Sequence, residues 1–393
     1  MKGWIVVNGN LRFDTDFIGT HKEMLMSSHH VDPDVRDWRK VLLITAAWQK
    51  NEFQEGHIKQ ALESIGIPSR FDGGFDQNIQ NLGLYHEFND LRSREQDLYT
   101  RYHRKQDVII RTKEFYTRKN DEFLQILRDQ VGMIRANFDG SSLAGILDYD
   151  VLRHRSELSH YNEAELFYHY CCQDVQDTMS KIIENDNLML KICNEIDDYF
   201  RDRSRIDENP DYIATRDRLR RNILSSNSIF LFGGNLPVLL NRLKFFNLRD
   251  VFQEALYRGT NFYTVSAGSM ALSDKVIVFD DFGNDQSDGG KKEFEFFDRG
   301  LGLVNRVTLF PHCMDRIQTD DPDNLSYLAN RFSTGPCVGL NENSFLLVET
   351  VREAETGGVR DRYVSVGKRD GVYVFDRSGH KHCRTFGQEI QID

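Results

Sequence analysis

Short apolar runs alternate with longer stretches whose apolar residues recur at helical intervals, and this alternation sets the expected architecture. Residues 4–7 and 41–46 are apolar almost without interruption, the pattern of strands buried on both faces in a parallel sheet. Asn8-Gly9-Asn10 ends the first run, and Trp48-Gln49-Lys50 follows the second. Residues 52–65 then carry Phe53, Ile58, Ala61, Leu62 and Ile65 at helical spacing. Strand followed by helix is the unit of a doubly wound α/β domain.

From about residue 83 to 204 the pattern turns helical. Phe88, Leu91, Leu98, Tyr102 and Ile109 recur every turn or two, and Phe123, Leu124, Leu127 and Val131 continue the series. Asn162-Glu163-Ala164-Glu165 reads as a capping box. The helix it opens is expected to bury Leu166, Phe167, Val175, Met179, Ile182 and Ile183. A further helix is expected to carry Leu188, Leu190, Ile192, Ile196, Tyr199 and Phe200. The whole reads as a hairpin-like insertion projecting from the α/β core.

Strand patterning returns at residues 228–232, SIFLF, which run into Gly233-Gly234-Asn235 and a helical stretch. Residues 261–273, NFYTVSAGSMALS, repeat that transition with Ser266 at the corner. A strand is expected over 275–279, ending in Asp280-Asp281. Others follow at 306–309, before Pro311-His312-Cys313, at 338–340, before Asn341-Glu342-Asn343, and at 345–351. Residues 363–366 and 372–375 read as a terminal antiparallel hairpin. The expected division is a first part of the core over 1–82, the helical insertion over 83–215 and a second part of the core over 216–393.

Charge and composition narrow the function classes. A net charge of -11 argues against a general polyanion binder. Residues 101–119 hold seven Lys or Arg against two acids, with Tyr102, Phe115 and Tyr116 interleaved. That is the composition of a nucleic-acid surface, but a charge run on a long helix is usually a solvated face. No apolar run approaches the ~20 residues of a membrane span, and no signal peptide is legible. The six cysteines lack metal-ligand spacing, and neither they nor the histidines suggest a zinc site. A cytoplasmic protein with reduced thiols and no cofactor is expected.

The chemistry concentrates at the second strand-to-helix corner. A serine there has its hydroxyl lifted out of the sheet, with the N–H of Ala267 beside it at a helix N-terminus. The Gly233-Gly234 turn offers a second N–H for a developing oxyanion. His312 is the first histidine after Ser266 and can serve as its base. Asp280 and Asp281 are rival candidates to orient that base. In a parallel sheet all of these fall at the C-terminal ends of strands, where sites of such folds lie.

Four segments in order, IFLFGGNLPVLLNRL, RGTNFYTVSAGSMAL, GLGLVNRVTLFPHCMDR and VGLNENSFLLVE, together with GWIVVNGN and KVLLITAA, resemble the serine peptidases that include aspartyl dipeptidase (peptidase E) and cyanophycinase. The resemblance covers roughly residues 1–75 and 216–393 and leaves the helical insertion unmatched. It implies a three-layer, class I glutamine amidotransferase-like fold with a mostly parallel sheet, in which serine replaces the amidotransferase cysteine. It also implies Ser266 as nucleophile, His312 as base, and the N–H groups of Gly234 and Ala267 as oxyanion donors. Asp281 has the spacing of the third member, with Asp280 as its rival. Asn235 and Glu342 are expected to line the substrate, and Arg316 is the candidate fork for a substrate carboxylate. Ser269 stands where the family usually has alanine, and Cys313 where it usually has phenylalanine.

The expected function is therefore a serine peptidase or amide hydrolase acting on small peptides, aspartyl ones among them, through an acyl-enzyme. A homodimer, formed through the insertion, is expected, with no nucleic acid or membrane partner. The competing reading is a catalytically silent module of the same fold that binds a ligand, a protein or nucleic acid through its helical arm.

Overall fold

The computed structural model describes all residues except 1, 10–16, 72–76, 156–159, 277–297, 333–334, 342–343, 353–358, 367–370 and 393. Its strands in chain order are β1 (Ile5–Asn8), β2 (Val41–Ile44), β3 (Ile79–Asn81), β4 (Ser228–Leu231), β5 (Asn261–Val265), β6 (Lys275–Val276) and β7 (Asp298–Arg299). They continue with β8 (Thr308–Pro311), β9 (Cys337–Leu340), β10 (Phe345–Arg352), β11 (Val359–Val366), β12 (Val372–Phe375) and β13 (Lys381–Arg384).

The main sheet has the order β11-β10-β1-β5-β4-β2-β3. From β1 to β3 all pairings are parallel, and β10 and β11 join antiparallel on the far side of β1. Both faces are covered, which is why these strands read as unbroken apolar runs. Successive side chains of a strand point to opposite faces. Ile5, Val7, Leu42, Ile44, Ile229 and Leu231 belong to one apolar core, and Val6, Val41, Leu43 and Phe230 to another. The first core packs under helices Leu236–Phe245 and Arg249–Tyr257, and the second under Gly56–Ser64. This is the expected doubly wound, mostly parallel α/β fold in three layers.

A second sheet, β13-β12-β9-β8, carries the histidine segment. Here one expectation fails. The two stretches read as a terminal hairpin do not pair with each other. β11 pairs with β10 in the main sheet, while β12 pairs with β9 and β13 in the second. Closeness in sequence favoured a hairpin, but each strand instead joins a different sheet, β11 at the edge of the main one and β12 between β9 and β13.

The helical insertion is built on two long antiparallel helices, Gln96–Asn137 and Glu163–Ser204, of 42 residues each, or about 63 Å at the helical rise. Asn162 opens the second with the expected capping box: its side chain accepts from Ala164 and Glu165 N–H, and Glu165 reaches back to the Asn162 N–H. Two helices were expected where this single one runs, and Phe167, Leu188 and Tyr199, expected inside, are exposed. In the first helix Leu98, Tyr102, Ile109, Lys113, Tyr116, Asn120, Leu124, Leu127, Val131 and Ile134 are buried, three, four or seven residues apart, the spacing of a coiled-coil seam.

The hairpin does not stand clear of the body. Its apolar seam is continuous with Phe310, Cys313, Ile317, Leu325 and Phe332 of the histidine-bearing part. Buried polar contacts fix the docking. Arg331 Nε and Nη2 donate to Asp186 at 2.7 and 3.1 Å, and Asn120 donates to the same carboxylate at 2.7 Å. Lys105, Lys113 and Lys119 of the basic stretch turn inward, to Asp197, Asp298 and Asn185. Among the described residues no helix is long and apolar enough to cross a membrane.

Candidate active site

Ser266 follows β5 directly and precedes the helix Ala267–Leu272. Its backbone lies at φ 50°, ψ -114°, a region that costs an L-residue steric strain and persists only where the surroundings impose it. Three features impose it. The Ser266 N–H donates to Asn8 O at the end of β1, at 2.9 Å. Gly268 lets the new helix lie against β4, since a Cβ there would sit 2.1 Å from Leu231 O. Gly233 leaves room for the corner, since its Cβ would lie 2.9 Å from Ser266 Cβ and 3.2 Å from Ala267 N.

That last contact brings the two strand-to-helix turns together, as the sequence reading required. Gly234, at φ 133°, rests on the segment after β2, where a Cβ would meet Ala47 O at 2.9 Å. Asn235 donates its N–H to Ala47 O at 3.1 Å, and its side chain caps the helix Leu236–Phe245 by accepting from Val238 N–H. The capping role was not foreseen for Asn235. Trp48 donates its indole N–H to Gly233 O at 3.0 Å, and so ties the turn to β2.

His312 comes from the other sheet. It follows β8 in the left-handed conformation, φ 57°, ψ 37°, and opens the short helix Cys313–Arg316. Its Nε2 lies 2.8 Å from Ser266 Oγ, within hydrogen-bond reach for proton transfer. The turn is held from β9: Asn341 Oδ1 accepts from Met314 N–H at 3.2 Å and from Cys313 Sγ at 2.8 Å. A Cβ at Gly339 would lie 2.8 Å from the same sulfur, so Cys313 fills the space that glycine leaves.

Ser269 is wholly buried and completes the corner. Its Oγ donates to Asn8 O at 2.7 Å and accepts from Asn8 N–H at 3.2 Å, with Thr264 Oγ1 at 2.9 Å. Asn8, Trp48 and Asn341 are thus supporting residues to which the sequence reading gave no role. Their signal was position alone, each at or just after the end of a strand.

Asp280, Asp281 and Glu342 lie outside the described residues. Arg316 ends the helix that His312 opens, but its side chain too lies outside them. The site brings together Ser266, His312, Gly234 and Ala267.

The fold is a doubly wound α/β fold, and its site sets a hydroxyl and an imidazole in contact at a strand-to-helix turn. Residues 202–354 match the model of peptidase family S51. That span holds both turns and the histidine, and the match agrees with the resemblance to peptidase E and cyanophycinase that the motifs carry, which supports a peptidase activity. The chain also aligns with the crystal structure of a peptidase from an acI-B1 Actinobacterium, at 12% identity and a TM-score of 0.46, over 99% of this chain and 97% of that one. Comparison with curated proteins finds no match.

Proposed function

We propose that the protein is a serine peptidase that cleaves small peptides through an acyl-enzyme. His312 Nε2 takes the proton of Ser266 Oγ as the oxygen attacks the peptide carbonyl. The N–H groups of Gly234 and Ala267 receive the oxyanion, and His312 returns the proton to the leaving amine. Water then attacks the ester by the same route. Asp281, or its neighbour Asp280, is the proposed acid that orients His312. The observation that carries the reading is the 2.8 Å contact between Ser266 Oγ and His312 Nε2, made by a serine held at positive φ.

The resemblance to aspartyl dipeptidase makes short peptides with an aspartyl residue the first substrates to try, with Arg316 as the proposed carboxylate fork. The test pairs a fluorophosphonate probe with an aspartyl peptide library, on wild type and on Ser266→Ala and His312→Ala. Labelling and turnover are expected in wild type only. Wild-type protein that is folded yet neither labels at Ser266 nor turns over any peptide would overturn the proposal and favour a silent binding module.

A further inference from the structure

Where the helical arm meets the core, the described residues line an open cleft of about 500 Å3. The arm contributes Lys105 and Arg201, the helix after the Gly233-Gly234 turn contributes Lys244, and Arg249 and Arg299 complete the cationic lining. The acids of the lining are Asp197 and Asp198. So positive a cleft runs against the net charge of -11 carried by the whole chain.

The lysines are paired with carboxylates. Asp298 lies buried beside the cleft, its two oxygens each 2.8 Å from an ammonium, Lys113 on one side and Lys244 on the other. One carboxylate thus serves two cations and leaves a positive charge in excess. Burial would raise the Asp298 carboxyl, but Lys244 and Lys113 outweigh it and hold it at about 2. Lys105 Nζ sits 2.5 Å from Asp197. The guanidinium groups of Arg249 and Arg299 have no ion pair among the described residues.

A backbone feature points the same way. Asn247, Leu248 and Arg249 line the cleft where the helix Arg249–Tyr257 begins, and no side chain caps that helix at Leu248. The N–H groups of a first helical turn have no intrahelical acceptor and attract anions. Guanidinium forks match phosphate oxygens in pairs, and the volume exceeds that of a single phosphate.

We propose that this cleft binds a small molecule bearing two or more phosphate groups, held by Arg249, Arg299, Lys244 and the first turn of the helix Arg249–Tyr257. Its position joins it to both turns of the candidate active site. Lys244 lies at the far end of the helix that Gly234 and Asn235 open. Gly300 and Leu301 fasten to the end of the helix that Ser266 opens, with Leu301 N–H donating to Ala271 O at 2.8 Å.

The test is calorimetric titration of the full chain with tripolyphosphate at fixed ionic strength, with citrate as the carboxylate comparison. Wild type and Ser266→Ala are expected to bind tripolyphosphate alike and more tightly than citrate. Arg249→Gln/Arg299→Gln is expected to bind it at least tenfold more weakly, with Arg299→Gln alone, at an exposed position, as the variant least able to disturb folding. No binding by wild type, equal binding of citrate, or unchanged binding by the folded variants would overturn the proposal. None of these readouts depends on peptidase activity.

Discussion

The Ser269 hydroxyl bonds both backbone groups of Asn8, donating to its carbonyl and accepting from its N–H. The same carbonyl accepts from the N–H of Ser266. The second serine of Ser-Ala-Gly-Ser therefore acts as a brace, fastening the strained corner to β1. Ser269→Ala removes this brace, and the loss of a buried hydrogen bond costs about 0.5–1.5 kcal/mol. Urea unfolding is expected to show that loss, while fluorophosphonate labelling at Ser266 persists.

Two glycines are expected to respond in opposite ways to alanine. At Gly233 the added methyl meets Ser266 Cβ and Val265 O, both at 2.9 Å, and pushes the nucleophile away from His312. Displacements of that order cost about 100-fold in rate, so Gly233→Ala is expected to fold and to lose about that much kcat/KM. Gly132 lies in the long helix Gln96–Asn137, where a Cβ meets nothing within 4 Å. Gly132→Ala is expected to raise stability by about 0.5–1 kcal/mol, because alanine gives up less backbone freedom in a helix.

Acid is expected to weaken the fold through His21. The ring is buried against Phe17, Phe345 and Tyr263, neither ring nitrogen has a hydrogen-bond partner among the described residues, and burial lowers its pKa from 6.5 to about 4. Between those values the unfolded chain takes up a proton that the native state refuses. The stability contribution is thus whole above pH 6.5 and is lost as pH falls toward 4, by about 3 kcal/mol. Urea midpoints at pH 7, 5.5 and 4.5 measure it. His21→Leu is expected to flatten the profile across that window, and an unchanged profile would refute the assignment.

The arm's docking is expected to depend on the Asp186–Arg331 pair, both of whose side chains are 6% exposed. Breaking a buried pair from one side leaves a charge without its partner and costs about 3–5 kcal/mol. Asp186→Ala should show that loss in urea, and Asp186→Leu/Arg331→Met should recover part of it, because the apolar pair needs no desolvated charge.

How much of this was legible along the chain follows from the range of the forces involved. Strand-to-helix corners are local: an apolar run, small residues and a polar turn announce them, so Ser266, Gly234 and the Asn162 cap could be read directly. The apolar seam of the arm was legible as a periodicity, although charged residues masked the continuity of the helix Glu163–Ser204. Partners distant in sequence were not legible. Nothing near Asn8 says that it will hold Ser266, and nothing near Asn341 says that it will hold the His312 turn.

The sequence by itself determined the alternation of buried strands and helices, the serine corner and the glycine turn, because each depends on the steric and solvation preferences of adjacent residues. Tertiary structure decided which edge each late strand would close, how the arm lies against the histidine-bearing part, and the 2.8 Å approach of His312 to Ser266 across two sheets. Those outcomes depend on packing between segments far apart in the chain, where shape and burial, and not local preference, select among pairings that the sequence alone leaves equal.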